Sequence, residues 1–345
     1  MDWLKIINFV IAVLFTVCYA YQYVYILVGC FVKPRTFREV TPRHRFAILI
    51  SARNEQSVIG HLLDSINAQS YPRELIDAYV IADNCTDKTG QIAAEHGALV
   101  YRRDDTEHIG KGYALSFLFH QLENEGTFDR YDGFFVIDAD NILHPNFVRE
   151  MDKCMSEGHR IITSYRNSKN YGTNWISAGY SLWFVREAKF LNNPRFICGT
   201  NCAVSGTGFM ISKRIVDMNG GWKYNLLTED IEFSVDAALK HIRIGYVHDA
   251  EFFDEQPETF AQSWKQRMRW TKGFYQVFFT YGKHLVKSTF RYHRFAAYDM
   301  FMTIAPGMLL SLISMLANAT FLIVGGLSHG FLATEVEMQA CAASL

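Results

Sequence analysis

Two long uncharged apolar runs bracket a middle section in which short apolar stretches alternate with amphipathic ones. From Ile6 to Val32 no residue is charged, a stretch of 27. A bilayer-spanning helix needs about 20 apolar residues, and the apolar part of a cleaved signal peptide is only about 7–15 long. The run therefore predicts a spanning helix. Lys33, Arg35, Arg38, Arg43 and Arg45 follow it, against only Asp2 and Lys5 before it. This asymmetry predicts a signal anchor with the N-terminus outside and everything after Lys33 in the cytoplasm. The second run, Met300 to Thr334, holds Leu309, Leu310, Leu312, Ile313, Leu316 and Phe321 to Val324, and Pro306 with Gly307 predicts a kink near its start. The stretch after Gly330 is weakly patterned and reads as the start of a truncated, longer membrane region.

Between about Arg45 and Gln256 the pattern is that of an α/β domain. Phe46 to Ile50 is a short buried-type strand ending at Ser51, and Ala78–Ala82, Ala98–Tyr101 and Phe134–Ile137 are three more. Val58, Ile59, Leu62, Leu63 and Ile66 recur at helical spacing, as do Leu115, Leu118, Phe119 and Leu122 within Gly112–Glu125. Strand and helix in alternation predict a doubly wound, mostly parallel sheet with ligands at the carboxyl ends of its strands. The expected division is a spanning helix over 1–33, the α/β domain over 34–256, interfacial helices over 257–295, and a second span with its tail over 296–345.

Composition narrows the partners. Hydrophobic residues are 49% of the chain and aromatics 15%, an excess that suits contact with a membrane or a carbohydrate. Lys+Arg total 34 against 35 Asp+Glu, a formal charge of -1, which argues against a nucleic-acid partner. The basic residues cluster instead. Lys265, Arg267, Arg269, Lys272, Lys283, Lys287, Arg291 and Arg294 lie where no acid occurs between Glu258 and Asp299. Interleaved with Phe274, Tyr275, Phe278 and Phe279, they predict a helix lying against anionic headgroups. The seven cysteines are scattered without a CxxC pair, so neither a disulfide framework nor a structural zinc site is expected. Cys198 and Cys202 read as packing residues, and His248 beside Asp249 as a strand-end histidine with a local partner.

The polar motifs fall where strands end. Ser51-Ala52-Arg53-Asn54-Glu55 follows the first strand, and the absence of GxGxxG there counts against a dinucleotide. Asp83-Asn84-Cys85-Thr86-Asp87 follows the second and Asp138-Ala139-Asp140-Asn141 the fourth. In extended chain, Asp138 and Asp140 point the same way. Two such carboxylates repel unless a cation lies between them, and an oxygen-only pair suits Mg²⁺ or Mn²⁺ shared with substrate phosphates. Thr228-Glu229-Asp230 precedes an amphipathic pattern and, alone, reads as an N-cap followed by a first turn complementing the helix dipole. Gln266-Arg267-Met268-Arg269-Trp270 lies on a helix expected to begin near Pro257. Gly206-Thr207-Gly208 is either a tight strand entry or a close approach to an acceptor.

Taken in order, these pieces resemble the family 2 glycosyltransferases of GT-A fold, and within them the membrane-embedded cellulose, chitin and hyaluronan synthases. The likeness rests on Ser51 to Glu55, Asp83, Lys111 in Gly110-Lys111-Gly112, the Asp138/Asp140 pair, Thr228-Glu229-Asp230 and QxxRW, and covers Phe46 to Trp270. Phe196-Ile197-Cys198-Gly199-Thr200 also looks like the FFCGS-type segment of those synthases. The resemblance implies that Ser51, Arg53, Glu55 and Asp83 hold the uridine of a UDP-sugar. It implies a metal on Asp140, the more direct ligand, and Asp138, with Lys111 and Arg269 offsetting diphosphate charge. Trp270 would stack on the acceptor, with Glu229 and Gln266 beside it, and Asp230 would be the general base of a single inverting displacement. Arg53 stands where the resemblance has an aromatic residue, and no FxVTxK segment follows QxxRW.

What the resemblance implies is thus a multi-pass enzyme of the plasma membrane with a cytoplasmic catalytic domain, extending a β-linked polysaccharide from UDP-glucose or UDP-N-acetylglucosamine. With only two candidate spans, an oligomer or a partner membrane subunit would complete a channel. Single transfer to a lipid acceptor, giving a glycolipid, needs no channel and is the alternative. A silent nucleotide-binding membrane subunit is disfavoured because Asp138, Asp140, Asp230 and Trp270 are all present. A nucleotidyltransferase would need a glycine-rich basic loop after the first strand, which Ser51 to Gln56 is not.

Overall fold

In the computed structural model, residues 2–330, 334–335 and 338–339 are described; most of the tail after Gly330, including Cys341, lies outside them. The strands are β1 (Phe46–Ala52), β2 (Ile76–Asp83), β3 (Leu99–Arg103), β4 (Gly133–Asp138), β5 (Ile142–Leu143), β6 (Ile161–Ser168), β7 (Phe209–Ser212) and β8 (Ile244–Asp254). They form one sheet in the order β3-β2-β1-β4-β7-β6-β8-β5. The four expected strands are β1 to β4, and they pair in parallel. β7 runs antiparallel to both β4 and β6, and β8 returns parallel to β6, so the sheet is mixed.

β1 shows why its residues form an unbroken apolar run. Phe46, Ile48 and Ile50 pack on one face with Ile59, Leu62, Phe135, Phe147 and Met151. Ala47 and Leu49 pack on the other with Leu115, Leu118, Phe134, Phe209 and Phe233. A parallel strand covered on both faces has no polar side, and each buried side chain of this size contributes about 1.5–3 kcal/mol. After β1 the chain winds outward through β2 and β3, then crosses back to place β4 on the other side of β1. The ends of β1 and β4 thus flank the point where the winding reverses, where an open α/β sheet offers its crevice.

The N-terminal run is two helices, Asp2–Tyr19 and Tyr21–Phe31, bent by 47° at Ala20, not the single helix expected. The bend lets the second half turn onto the domain. Tyr21 and Tyr25 hydroxyls donate to the two oxygens of Asp299 at 2.9 Å each, and Arg195 closes the same buried carboxylate at 2.8 and 2.7 Å. The second run also breaks instead of kinking: Phe295–Ile304 ends at Ala305, and Pro306 opens Pro306–His329 at its first turn. Proline lacks the N–H that a first-turn position would leave unsatisfied anyway, which suits it to start a helix. Leu310–Ser328 is long and apolar enough to cross a membrane; the N-terminal pair counts as a second such span only if taken together. Asn8 and Asn318 exchange amide hydrogen bonds between them, while Phe9, Ile313, Leu316 and Leu327 stay exposed.

The segment expected as several interfacial helices is one helix, Phe260–Tyr292, capped by Thr259 in a reciprocal box with Gln262, three residues past the expected start. It packs through Gly273, Val277 and Leu285 and exposes Phe260, Trp264, Met268, Phe279 and Phe290.

Candidate active site

The loops that follow β1, β2 and β4 meet at the crevice. Ser51 lies opposite Asp138 in the β1/β4 ladder. The loop after β1 is tied to the loop after β2: Thr86 N–H donates to the Asn54 side chain at 2.8 Å, and Glu55 N–H to the Thr89 hydroxyl at 2.8 Å. Asn54 takes a φ of 58°, a left-handed conformation that asparagine tolerates better than most. Arg53 points outward and is exposed. Asp83, nearly buried at the end of β2, is gripped by the Arg103 guanidinium at 2.7 Å, which the sequence reading did not foresee. Arg103 in turn holds Asp105 at 2.9 Å and the His108 carbonyl at 2.7 Å.

Asp138 and Asp140 converge by a turn and not by extended alternation. β4 ends at Asp138, and Asn141 N–H donates back to the Asp138 carbonyl at 3.1 Å, closing the turn over Ala139 and Asp140. Buried Asn141 then braces the loop. Its amide donates to Asp140 at 3.0 Å and to Asp254 at 2.8 Å, while its carbonyl accepts the Thr207 hydroxyl at 2.6 Å. That hydroxyl accepts from Asp138 N–H at 2.8 Å.

Lys111 joins the halves of the site. Its helix, Lys111–Asn124, starts after Gly110 and runs against the loop before Asp230: a Cβ on Gly112 would lie 2.1 Å from the Tyr224 carbonyl oxygen. The Lys111 ammonium is ion-paired with Asp138 and donates to the Gly206 carbonyl at 2.7 Å. A Cβ on Gly206 would in turn lie 3.8 Å from an Asp230 carboxylate oxygen. The Ser205–Gly208 turn thus borders the site, and with φ of 74° at Gly206 and 69° at Gly208 it is also the tight entry to β7, which begins at Phe209. Phe196–Thr200 does not border the site. Phe196 is buried against Phe37 and His159, Cys198 is exposed, and Thr200 bonds Tyr25 at 3.1 Å. His248 packs on Tyr165 and bonds the Tyr246 hydroxyl at 3.2 Å, not Asp249.

Glu229 and Asp230 open the helix Glu229–Leu239. Thr228 occupies the N-cap position but makes no capping bond; its buried hydroxyl has no partner, because the side chain is pressed against the Phe260–Tyr292 helix at Gly273. A Cβ on Gly273 would lie 2.5 Å from Thr228 Cγ2. Trp270 is partly buried, edge-on to Tyr180 and Phe184 at centroid distances of 5.7 and 6.2 Å, and Gln266 has a buried side-chain oxygen without a partner. Arg269 is exposed one residue before Trp270.

Electrostatics single out the same groups. Burial, followed by repulsion from Asp254, Asp138 and Glu55, pushes Asp140 up to about 8. Burial and then Asp230 push Glu229 to about 8, against the pull of Lys111. Asp230 is raised by burial while its helix-start N–H groups, Lys111 and Arg166 oppose the rise. Displaced carboxyls gathered in a crevice are candidates for binding or proton transfer. The donor set fits a hard divalent cation: crowded carboxylate oxygens in which, among the described residues, Asp140 forms no ion pair and feels only a weak pull from Lys169. Among the described residues no group of three or more His, Cys, Asp or Glu side chains is arranged to hold an ion unaided, so substrate oxygens would complete the shell.

Residues 42–273 match the family model described as glycosyltransferase like family 2. Among curated proteins, the chain is 24% identical over 245 residues to the beta-monoglucosyldiacylglycerol synthase of Synechocystis sp., covering 70% of this chain and 50% of that one. It is 24% identical over 234 residues to the poly-beta-1,6-N-acetyl-D-glucosamine synthase of Staphylococcus aureus, covering 66% of this chain and 54% of that one. The chain thus spans about half the length of these relatives. Among solved structures, the mannosyltransferase PcManGT of Pyrobaculum calidifontis, in complex with GDP-Man and Mn²⁺, superposes with a TM-score of 0.70 at 16% identity. The match covers 99% of this chain and 91% of that one and establishes the common GT-A-like fold.

Proposed function

This chain belongs to the family 2 glycosyltransferases, and from that premise we propose that it moves a sugar from a UDP-sugar, with inversion, onto an acceptor held at a membrane surface. The observation that carries the reading is the Lys111 bridge. One ammonium ties Asp138, on the donor side, to the Gly206 turn beside Asp230, the base.

Ser51, Glu55 and Asp83 bind the uridine at the ends of β1 and β2, with Arg103 fixing the Asp83 carboxylate. Arg53, although exposed, belongs to the same donor loop. Asp140 and Asp138 would hold Mg²⁺ or Mn²⁺, which when bound supplies charge for the departing diphosphate. Lys111 and Arg269 add positive charge at the same end. Asp230 takes the proton from the acceptor hydroxyl as its oxygen attacks the anomeric carbon and the bond to the diphosphate breaks on the opposite face. Burial raises the affinity of Asp230 for that proton, which suits a base. Trp270, walled by Tyr180 and Phe184, forms the acceptor platform, with Gln266 offering its unpartnered oxygen to a sugar or glycerol hydroxyl and Glu229 beside the base.

The acceptor we infer is a membrane lipid, so that the product is a glycolipid. Trp175 and Trp183, on the helix that carries Tyr180 and Phe184, and Phe260 and Trp264, on the helix that carries Trp270, are exposed aromatics suited to a bilayer surface, and a single transfer needs no polymer channel. The apolar helices suit a membrane anchor, and the basic residues after the first apolar run support a cytoplasmic catalytic domain. A second reading, extension of a β-linked polysaccharide, draws on the same aromatic platform and on the likeness to the poly-N-acetylglucosamine synthase.

The test is UDP release by purified protein with a panel of UDP-sugars, with and without Mn²⁺ or Mg²⁺. Release that is metal-dependent, selective for one sugar and lost in Asp140→Ala supports the reading; no release and no nucleotide binding by a folded sample sinks it. Product length separates glycolipid from polymer.

A further inference from the structure

We propose that Arg166 is a positioning residue that couples the acceptor platform to the donor-side carboxylates, an inference that rests on the transferase reading above. Arg166 lies on β6 just past a register shift between Ser164 and Tyr165, an irregularity of the kind that re-aims the side chains after it. Its guanidinium is spent in three directions at once. Nε donates to Asp254 Oδ2 at 2.9 Å. Nη1 donates to the Ser205 carbonyl at 3.0 Å, one residue before the Gly206 turn that meets Lys111 and Asp230. Its flat face lies over the Phe184 ring, 3.6 Å from the centroid.

Each of these partners leads to a different part of the site. Phe184 is the wall of Trp270 at 6.2 Å. Asp254 accepts from Asn141 at 2.8 Å, and Asn141 donates to Asp140 at 3.0 Å. A continuous set of contacts therefore runs from the acceptor platform through Phe184, Arg166, Asp254 and Asn141 to the metal carboxylate. Gln256 closes the remaining approach to Asp254 with a bond of 2.9 Å. The space behind the guanidinium, lined by Glu187, Ser205 and Thr207 among others, amounts to about 10 Å³. That is room for about one water beside the guanidinium, whose own bonds to Asp254 and Ser205 hold it in place. Glu187 lies where its helix passes into the wide turn Ala188–Asn192 and balances the charge from that side. Arginine alone can do this: its planar fork binds carboxylate and carbonyl in fixed directions while its face stacks on an aromatic ring, which lysine cannot copy.

The functional consequence concerns water. Hydrolysis and transfer break the same bond between the anomeric carbon and the diphosphate. They differ in whether a water or an acceptor oxygen forms the new bond, and in both the proton goes to Asp230. A rigid link from platform to donor carboxylates lets an acceptor on Trp270 set the donor geometry, which favours transfer over waste of the donor.

The test is Mn²⁺ binding by calorimetry in the presence of UDP, on the full chain in detergent, with Phe184→Leu, Arg166→Lys and the double variant. Phe184 touches no donor-side carboxylate, so a merely local role for it leaves Mn²⁺ affinity unchanged. The expected result is at least a threefold loss for Phe184→Leu, a larger loss for Arg166→Lys, and no further loss when the two are combined, the non-additivity of groups acting in series. Leu182→Ala, exposed on the same helix, binds as the native chain does. Native affinity in Phe184→Leu, or losses that simply add, overturns the coupling. Metal-dependent UDP binding by the native chain, measured first, tests the transferase reading separately.

Discussion

The Lys111 ammonium is bonded to the Asp138 carboxylate and, on its other side, to the Gly206 carbonyl at 2.7 Å, so one side chain ties the end of β4 to the turn beside Asp230. Lys111→Met removes a charge that the nucleotide diphosphate would use and leaves Asp138 facing Asp140 and Glu55 alone. UDP affinity in Mn²⁺ should fall at least tenfold, about 1.4 kcal/mol, in a titration of the folded variant. Unchanged affinity would remove Lys111 from the donor site.

Asp230→Asn keeps the shape of the helix start but cannot take a proton. Transfer should fall by roughly 10²–10⁴ while UDP binding stays within a few-fold of native. Nucleotide binding that collapses together with activity would count against a base at this position.

On the proposed role of Trp270 as acceptor platform, Trp270→Ala removes the ring that meets Tyr180 and Phe184 and leaves the loops after β1, β2 and β4 untouched. Transfer to acceptor should drop much more than acceptor-independent hydrolysis of the UDP-sugar, read as product formed per UDP released. Equal losses in the two would deny Trp270 that role.

Gly273→Ala drives a methyl group into Thr228, whose Cγ2 would be 2.5 Å away, directly before Glu229 and Asp230. Overpacking of this kind costs about 1–3 kcal/mol, so the melting temperature should fall by several degrees and activity with it. Thr228→Ala in the same chain makes room and should restore part of the loss. A Gly273→Ala protein as stable as native would show that the two helices part freely.

Glu229 predicts a pH slope of stability. Its carboxyl, held up to about 8 by burial and by Asp230, binds a proton more tightly folded than unfolded. The stabilisation is therefore complete below the ordinary glutamate range and is lost as pH rises through the folded value. Melting temperature of nucleotide-free protein should decline between about pH 5 and 8, and Glu229→Gln should flatten that decline. A native profile rising over this window would exclude the assignment.

Much of this protein was legible in its sequence because some signals are local. β1, β2 and β4 announced themselves as apolar runs ended by polar motifs, since strands covered on both faces admit nothing else, and Ser51, Asp83 and Asp138 sit at their ends; β3, at the exposed edge, showed only a short apolar run. β6, β7 and β8 were not read, because their pairings join segments far apart in the chain and nothing local fixes their register. The same reason hid Arg103, Arg166 and Asp254. A lone arginine or aspartate carries no period, and its meaning comes from the partner it meets. Two local readings failed where packing overrode them: the N-terminal span bends at Ala20 so that Tyr21 and Tyr25 reach Asp299, and Thr228 gives up its capping bond to fit against Gly273. By itself the sequence determined the α/β core and the apolar ends, and it named candidate residues, Ser51 and Asp138 among them, that meet at the crevice. Only the tertiary structure decided that the Ser205–Gly208 turn, and not Phe196–Thr200, borders the site, and that Lys111 and Arg166 join its halves, because those contacts are made by distant segments held together through burial on both faces of one sheet.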